Sequence, residues 1–205
     1  MLEPSRDPRD ITGADQRELA EAVRELMLCT GLTTVTGAEL DRARTLVDEA
    51  SRVLSQHSTQ RVDRLSYEEP SVARATGQAF TYAASNPAAV PLEVTFEGDA
   101  LRGTVALGPL FEGPPDSVHG GTISWLFDSL FGLLVQATLK PSVTGTLTVR
   151  YLNRTPLRQP LELHARILDQ TGRKTTAESW IAHAGQRTAE AQATFIEIPR
   201  DQHMT

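Results

Sequence analysis

Cysteine is almost absent from this sequence, since Cys29 is its single example. One cysteine cannot form an internal disulfide or supply a metal cluster built from several thiolates. It occurs within a helical pattern of apolar residues, so we expect it to be a small buried side chain. The five histidines show neither i, i+4 pairing nor an H-E-x-x-H motif, and we expect none of them to bind a metal. The sequence therefore predicts no metal and no organic cofactor.

The sequence also lacks an excess of positive charge and a long hydrophobic run. Its 26 acidic residues outnumber its 20 lysines and arginines, which gives a net charge of −6. This balance, without a basic stripe interleaved with aromatic residues, argues against nucleic-acid binding. No stretch reaches the roughly 18 uninterrupted apolar residues of a membrane span, and the N-terminal residues MLEPSRDPRD lack the apolar core of a signal peptide. We therefore expect no membrane span and a cytoplasmic location.

Two helical patterns occupy the first quarter of the chain. Thr12 and Asp15 resemble a capping box and precede an apolar stripe that continues to Gly31, while Thr36 and Glu39 form a stronger capping box before a second stripe. The connection between the two patterns is short, which predicts an antiparallel helical hairpin with a shared apolar seam. The seam could also dock on the sheet or on a second subunit.

The remaining chain alternates apolar and polar residues with period two, the pattern of half-buried strands. Six such strands are predicted, at residues 92–97, 101–107, 144–151, 161–167, 174–183 and 189–195. Residues 77–84 are ambiguous between strand and helix. We divide the chain into an N-terminal arm with the helical hairpin, a linker, a sheet domain and a tail, with bounds 1–60, 61–84, 85–199 and 200–205.

A long apolar helix is predicted between the second and third strands. Its apolar residues follow the i, i+3, i+4 rhythm of a core-facing helix from residue 123 to residue 137. Two strands, a buried helix and four more strands predict an α+β fold in which an antiparallel sheet wraps around a central helix. Because such a sheet has open edge strands, we expect a homo-oligomer, either a dimer or a dimer of dimers.

The residues that could take part in catalysis lie at the start of this helix. Residues 112–132 read EGPPDSVHGGTISWLFDSLFG, and Asp128 is the one ionisable side chain between His119 and Lys140. Two glycines at a helix start leave backbone N–H groups bare, where an oxyanion is favoured. We expect such an oxyanion to lie within reach of Asp128, about two turns further on.

Simpler interpretations of the same residues exist. An aspartate on an apolar helix can pair with an arginine or lie at a subunit interface, and a Gly pair often marks only a turn. A catalytic triad of Ser124, His119 and Asp128 is not expected, because the sequence has no G-x-S-x-G turn and Ser124 follows the histidine on one helix.

The run E-G-P-P-x-x-V-H-G-G, with an aspartate nine residues after the histidine, resembles the hotdog-fold acyl-CoA thioesterases of the phenylacetate-type branch. The resemblance covers about residues 85–198. It implies that the Gly120 N–H polarises the thioester carbonyl, that His119 and Gly121 shape this loop, and that Asp128 activates water or attacks directly. It further implies that Thr144 completes the site from a partner subunit.

The chain departs from this family at one position. Some relatives carry asparagine six residues before the histidine, where this sequence has Gly113. Glu112 or Asp116 could take over the role of that asparagine. The hotdog dehydratases are another alternative, but their catalytic motif does not occur here.

Coenzyme A carries phosphates that need basic partners. The resemblance implies Arg154, Arg173 and Lys174 for this role, while the alternative is that they belong to ordinary solvated turns. We therefore predict a thioester hydrolase that converts acyl-CoA and water to a free acid and coenzyme A, an activity of fatty acid metabolism. The alternative is a non-catalytic acyl-CoA binding or regulatory module. In either case the N-terminal hairpin would be a structural appendage or a lid over the acyl tunnel.

Overall fold

The structure is a computed structural model that describes residues 13–58, 68–138 and 141–198. The described helices, in chain order, are α1 (Gly13–Leu32), α2 (Ala38–Ser55), α3 (Glu68–Thr76) and α4 (Gly120–Gln136). The described strands are β1 (Phe80–Tyr82), β2 (Leu92–Glu97), β3 (Ala100–Val105), β4 (Ser142–Tyr151), β5 (Leu161–Thr171), β6 (Lys174–His183) and β7 (Gln186–Glu197). None of the described helices has both the length and the apolar character that crossing a membrane requires.

The strands form one antiparallel seven-stranded sheet in the order β1-β2-β3-β5-β6-β7-β4. All six strands predicted from period-two alternation are present, with shifts of a few residues at their ends. In β2, for example, Leu92, Val94 and Phe96 are buried while Glu93 and Glu97 are exposed. The alternation therefore reports which side of each strand faces the core.

Helix α4 fills the concave side of this sheet. Its buried face is formed by Ile123, Leu126, Phe127, Leu130, Phe131, Leu133, Leu134 and Val135. Phe131 contacts Phe195 of β7 edge to face, with ring centroids 6.1 Å apart. The prediction of an antiparallel sheet around a central helix is confirmed.

The segment predicted as a linker contains α3 and β1. Ala73 of α3 is buried in the main core, and Phe80 and Tyr82 of β1 pack against it. These contacts attach α3 and β1 to the core of the sheet, and the domain bounds given above stay a prediction. Residues 1–12, 59–67 and 199–205, which include the arm, part of the linker and the tail, lie outside the described residues.

The shared seam expected for the helical hairpin is not formed. Helix α2 has no buried residue, and its apolar stripe, with Leu46 57% exposed and Val53 61% exposed, faces away from the rest of the described chain. Helix α1 packs separately, since the guanidinium of Arg24 donates hydrogen bonds to the carbonyls of Ala83 and Ala84 at 3.3 and 2.6 Å.

Two local expectations in this region are wrong. The N-cap of α2 is Gly37, at φ 62°, and no side chain caps the helix, so Thr36 and Glu39 do not form the predicted capping box. Cys29 is exposed, because it lies on a side of α1 that nothing covers among the described residues. Thr12, from the other predicted capping box, lies outside the described residues.

Candidate active site

His119 starts α4 as its N-cap. Its backbone is extended, its Nδ1 accepts a hydrogen bond from the Gly121 N–H at 3.0 Å, and its own N–H donates to the Phe111 carbonyl at 2.8 Å. Because Nδ1 accepts, the neutral ring carries its proton on Nε2. The Gly120 N–H makes no hydrogen bond within the part of the chain that the structure describes. Bare backbone N–H groups, that of Gly120 among them, therefore remain at the positive end of the helix dipole.

The loop that leads into His119 is a tight turn. Glu112 and Val118 form a β-bridge, and the Gly113 N–H donates to the Ser117 carbonyl at 2.9 Å. A Cβ added at Gly113 would lie 2.7 Å from the His119 Cα, closer than real Cβ contacts come. Glycine therefore fits at position 113 in this chain, because a side chain there would push the backbone of His119 away.

Glu112 and Asp116 help to hold this turn. The Glu112 carboxylate accepts a hydrogen bond from the Asp116 N–H at 2.7 Å, and Asp116 has φ 57°, a left-handed conformation that aspartate tolerates better than most residues. Their observed contacts are with the loop itself, so they fix the position of His119.

Arg154 holds the same turn from the other side. Its Nε donates to the Ser117 hydroxyl at 3.0 Å and its Nη2 donates to the Pro115 carbonyl at 2.6 Å. Two nitrogens of its guanidinium group thus bind the loop, so Arg154 holds the loop in place within the single chain. The predicted role of Arg154 as a phosphate ligand stays a prediction.

Two hydroxyl groups fix the first peptide of α4, and neither was predicted. Tyr151, at the end of β4, donates to the Gly120 carbonyl at 3.0 Å, and Ser124 donates to the same carbonyl at 3.2 Å. The two hydroxyls are 2.9 Å apart. A Cβ at Gly120 would contact the Tyr151 hydroxyl at 3.3 Å, so glycine allows the tyrosine to lie close to the helix start.

Asp128 lies two turns further along α4, on its exposed side. The Thr144 hydroxyl, at the start of β4, donates to Asp128 Oδ1 at 3.2 Å. The resemblance implied a threonine from a partner subunit, but this contact is made within one chain because β4 follows α4 and runs beside it. Tyr82 of β1 is also near, since burial and, to a lesser degree, the negative charge of Asp128 raise the pKa of Tyr82.

A cavity of about 90 Å³ opens beside Asp128. It is lined by Asp128, Gly132, Val135, Gln136, Ser142, Thr144 and Phe195. Within the described ranges, no group of three or more His, Cys, Asp or Glu side chains is placed to hold a metal ion.

The bare amide and the carboxylate do not converge in a single chain. Gly120 and Asp128 are eight positions apart on one helix, which separates them by about 12 Å along its axis. One thioester carbonyl cannot span that distance within a protomer, so the expectation that one oxyanion lies within reach of both groups stays a prediction that requires a second subunit.

The predicted phosphate ligands are divided between two ends of β4. Arg154 follows its end, whereas Arg173 and Lys174 occupy the β5–β6 turn beside its start. The ten residues of β4 span about 30 Å, so the three cations form no common patch in one chain. Arg173 donates twice to the Glu197 carbonyl, at 3.0 and 2.7 Å. The side chain of Lys174 is exposed.

Several known proteins are similar to this chain in sequence or in structure. Residues 116–187 match the sequence model of the thioesterase superfamily. The crystal structure of protein RHA08564, a thioesterase superfamily protein, has 27% sequence identity and a TM-score of 0.76, and the match covers 90% of this chain and 92% of that one. A structure of smu.793 from Streptococcus mutans bound to acetyl CoA shares the fold, with 21% identity, a TM-score of 0.50, and coverage of 52% and 88%.

The site and these matches define a hotdog α+β domain, and residues 116–187 of the chain are similar to the thioesterase superfamily. Among curated proteins it is similar to acyl-coenzyme A thioesterase THEM4 of Xenopus laevis, with 31% identity over 106 residues. This match covers 50% of this chain and 48% of the relative, so the chain spans about half the length of that protein. The phenylacetate-type branch stays a prediction.

Proposed function

We propose that this protein hydrolyses acyl-CoA thioesters to free acids and coenzyme A. The observation that carries the proposal is a bare Gly120 N–H at one end of β4 and a hydrogen-bonded Asp128–Thr144 pair at the other. The name of the Xenopus laevis relative supports the choice of substrate class.

A two-fold dimer would bring the two halves of the site together. β4 is an edge strand of ten residues with mostly exposed side chains. If two copies of β4 pair antiparallel, the start of one strand lies beside the end of the other. Gly120 contacts Tyr151 at the end of β4 and Asp128 contacts Thr144 near its start, so the Gly120 of one subunit would face the Asp128 of its partner.

The proposed chemistry uses these groups in order. The Gly120 N–H donates a hydrogen bond to the thioester oxygen and stabilises the negative charge that develops there, in the manner of an oxyanion hole. Asp128 removes a proton from water, or attacks the carbonyl to form an anhydride that water then cleaves. Thr144 donates to the carboxylate and orients it. Coenzyme A leaves as a thiolate, and the same pairing places Arg154 of one subunit near Arg173 and Lys174 of the other for its phosphates.

Replacement of Asp128 tests this proposal. We expect Asp128→Asn to lower kcat by at least about 100-fold, because the amide is neither a base nor a nucleophile. Thr144→Ala should lower it by about tenfold through loss of one hydrogen bond to the carboxylate. The measurement is thiol release from a panel of short and long, alkyl and aryl acyl-CoA esters.

The control for this experiment is Asp48→Asn, which removes an exposed carboxylate on α2 and should leave turnover unchanged. Unchanged turnover in Asp128→Asn would overturn the assigned role. A wild-type protein that binds acyl-CoA esters but hydrolyses none would favour the alternative, a non-catalytic binding or regulatory module.

A further inference from the structure

The cavity beside Asp128 follows one side of α4. Asp128, Gly132 and Gln136 are spaced by four residues, so they lie one above another on the same helix face. The cavity therefore extends from the carboxylate towards the C-terminal end of the helix. Val135 and Phe195, both buried, supply apolar walls.

Gly132 keeps the middle of this cavity open. A Cβ added at Gly132 would have no atom within 4 Å among the described residues. The glycine is therefore not required by packing within the chain, although glycine in a helix interior costs about 1 kcal/mol relative to alanine. An open position beside the proposed catalytic carboxylate leaves space for a ligand chain.

The far end of the cavity is polar. Gln136 lines it, and the Oε1 atom of Gln136 is buried without a hydrogen-bond partner among the residues that the structure describes. A buried amide oxygen without a partner is unfavourable by about 1–3 kcal/mol. Rotation of the amide exchanges its oxygen and nitrogen, so Gln136 can present either an acceptor or a donor to a bound group.

We propose that this cavity is the acyl subsite and that Gln136 selects acyl groups that carry a hydroxyl at their far end. This inference rests on the proposed thioesterase function. A hydroxyl both donates and accepts, so it satisfies the Gln136 amide in either orientation. A methyl group in the same place would leave the amide unpaired and would exclude any water that could pair with it.

The size of the cavity favours short acyl groups. Its volume of about 90 Å³ is smaller than the roughly 150 Å³ of an engineered apolar cavity that holds benzene. Long, purely apolar chains fit poorly in such a volume, and they do not match its polar end. Gln136 is eight residues beyond Asp128, about 12 Å along the helix axis, so a hydroxyl must be carried on a chain of about six carbons to reach it. The selected class is therefore an aliphatic acyl thioester of about that length with a hydroxyl at its far end.

Isosteric substrate pairs test the inference. Heptanoyl-CoA and 6-hydroxyhexanoyl-CoA differ only by methyl against hydroxyl at the far end of the chain, as do hexanoyl-CoA and 5-hydroxypentanoyl-CoA. Butyryl-CoA and 3-hydroxypropionyl-CoA form a third pair that is too short to reach Gln136. We expect the wild type to show at least a tenfold higher kcat/KM, roughly the effect of one buried hydrogen bond, for the hydroxylated member of one or more pairs. In Gln136→Leu, which keeps side-chain volume but removes the amide, this preference should disappear or reverse.

Gln192→Leu is the matched control, because Gln192 is exposed on β7 and outside the cavity. It should keep the wild-type preference. Gly132→Ala should fold normally, since its Cβ meets open space, and should lower kcat/KM for the longest pair most. Equal rates within every pair, or a preference that survives Gln136→Leu, would overturn the inference.

Failure of the hydrolase proposal gives a different result. If the wild type hydrolyses no thioester, equilibrium binding of the same pairs still reports on the subsite. Tighter binding of the hydroxylated members, lost in Gln136→Leu, would support the subsite while the hydrolase proposal falls. Hydrolysis without any preference would remove the subsite inference alone.

Discussion

Position 113 requires glycine because the backbone of His119 lies too close for a larger residue. Alanine at this position would place Cβ 2.7 Å from the His119 Cα, so the turn or the helix start must shift. We expect Gly113→Ala to lower the free energy of unfolding by roughly 1–3 kcal/mol, the usual range for overpacking. Turnover should fall as well, because His119 and Gly120 move together. Denaturant unfolding and steady-state kinetics measure the two effects.

Gly108→Ala provides the comparison for this variant. Gly108 has φ −85° and no atom within 4 Å of an added Cβ among the described residues, so alanine fits there without strain. Its stability and turnover should match the wild type. Equal behaviour of the two variants would show that the close approach at Gly113 has no energetic consequence.

At the residue scale, the sequence identified the helix start and its carboxylate but not the groups that position them. His119, Gly120, Gly121 and Asp128 lie within ten residues, so a local motif can find them. Tyr151 and Tyr82 reach the site from strands far away in the chain, and no local pattern predicts such contacts. The pairing of Asp128 with Thr144 within one chain likewise depends on how β4 returns beside α4.

At the scale of helices, α4 and α2 show opposite burial. Leu130 of α4 is completely buried, whereas Leu46 of α2 is 57% exposed. Leu130→Ala should therefore lower the free energy of unfolding by about 2–5 kcal/mol, as core truncations do. Leu46→Ala should change it by no more than about 0.5 kcal/mol. Chemical denaturation at low protein concentration measures both, and a large loss in Leu46→Ala would mean that α2 is covered in solution.

The outer face of the sheet carries a row of charged and aromatic side chains. His164 of β5 stacks on Trp180 of β6 with ring centroids 3.8 Å apart, and the Arg187 guanidinium lies 4.4 Å from the Trp180 ring centroid. Burial lowers the pKa of His164 below its ordinary 6.5, Arg102, Arg166 and Arg187 lower it further, and Glu97 opposes them. This face therefore favours the neutral imidazole.

The lowered pKa of His164 predicts a pH dependence of stability. Below pH 6.5 the unfolded chain binds a proton at this histidine while the folded protein resists it, so stability falls as the pH falls. His164→Gln should flatten this dependence, measured as the free energy of unfolding between about pH 7.5 and 5. An unchanged slope in His164→Gln would contradict the assignment.

The strands were predictable because alternation along each strand records its two faces. Helix α2 was predictable as a helix but not in its packing, because an apolar stripe does not identify its partner. β1 has only three residues, too few for alternation to distinguish a strand from a helix. Helix α3 was likewise not predicted as part of the core, because Ala73 is a single small buried residue in a mostly polar segment and gives no periodic pattern.

At the scale of the whole molecule, the proposed site depends on two copies of β4 that pair across a two-fold axis. Thr146 lies near the middle of this strand and is exposed, so each copy would lie close to its counterpart at the axis. Thr146→Asp and Thr146→Lys should each weaken the dimer, because like charges then face each other. A mixture of the two variants should restore both the dimer and turnover, since opposite charges then meet. Size-exclusion chromatography with light scattering measures the dimer, and thiol release measures turnover. Full turnover by a monomeric variant would contradict a site shared between subunits.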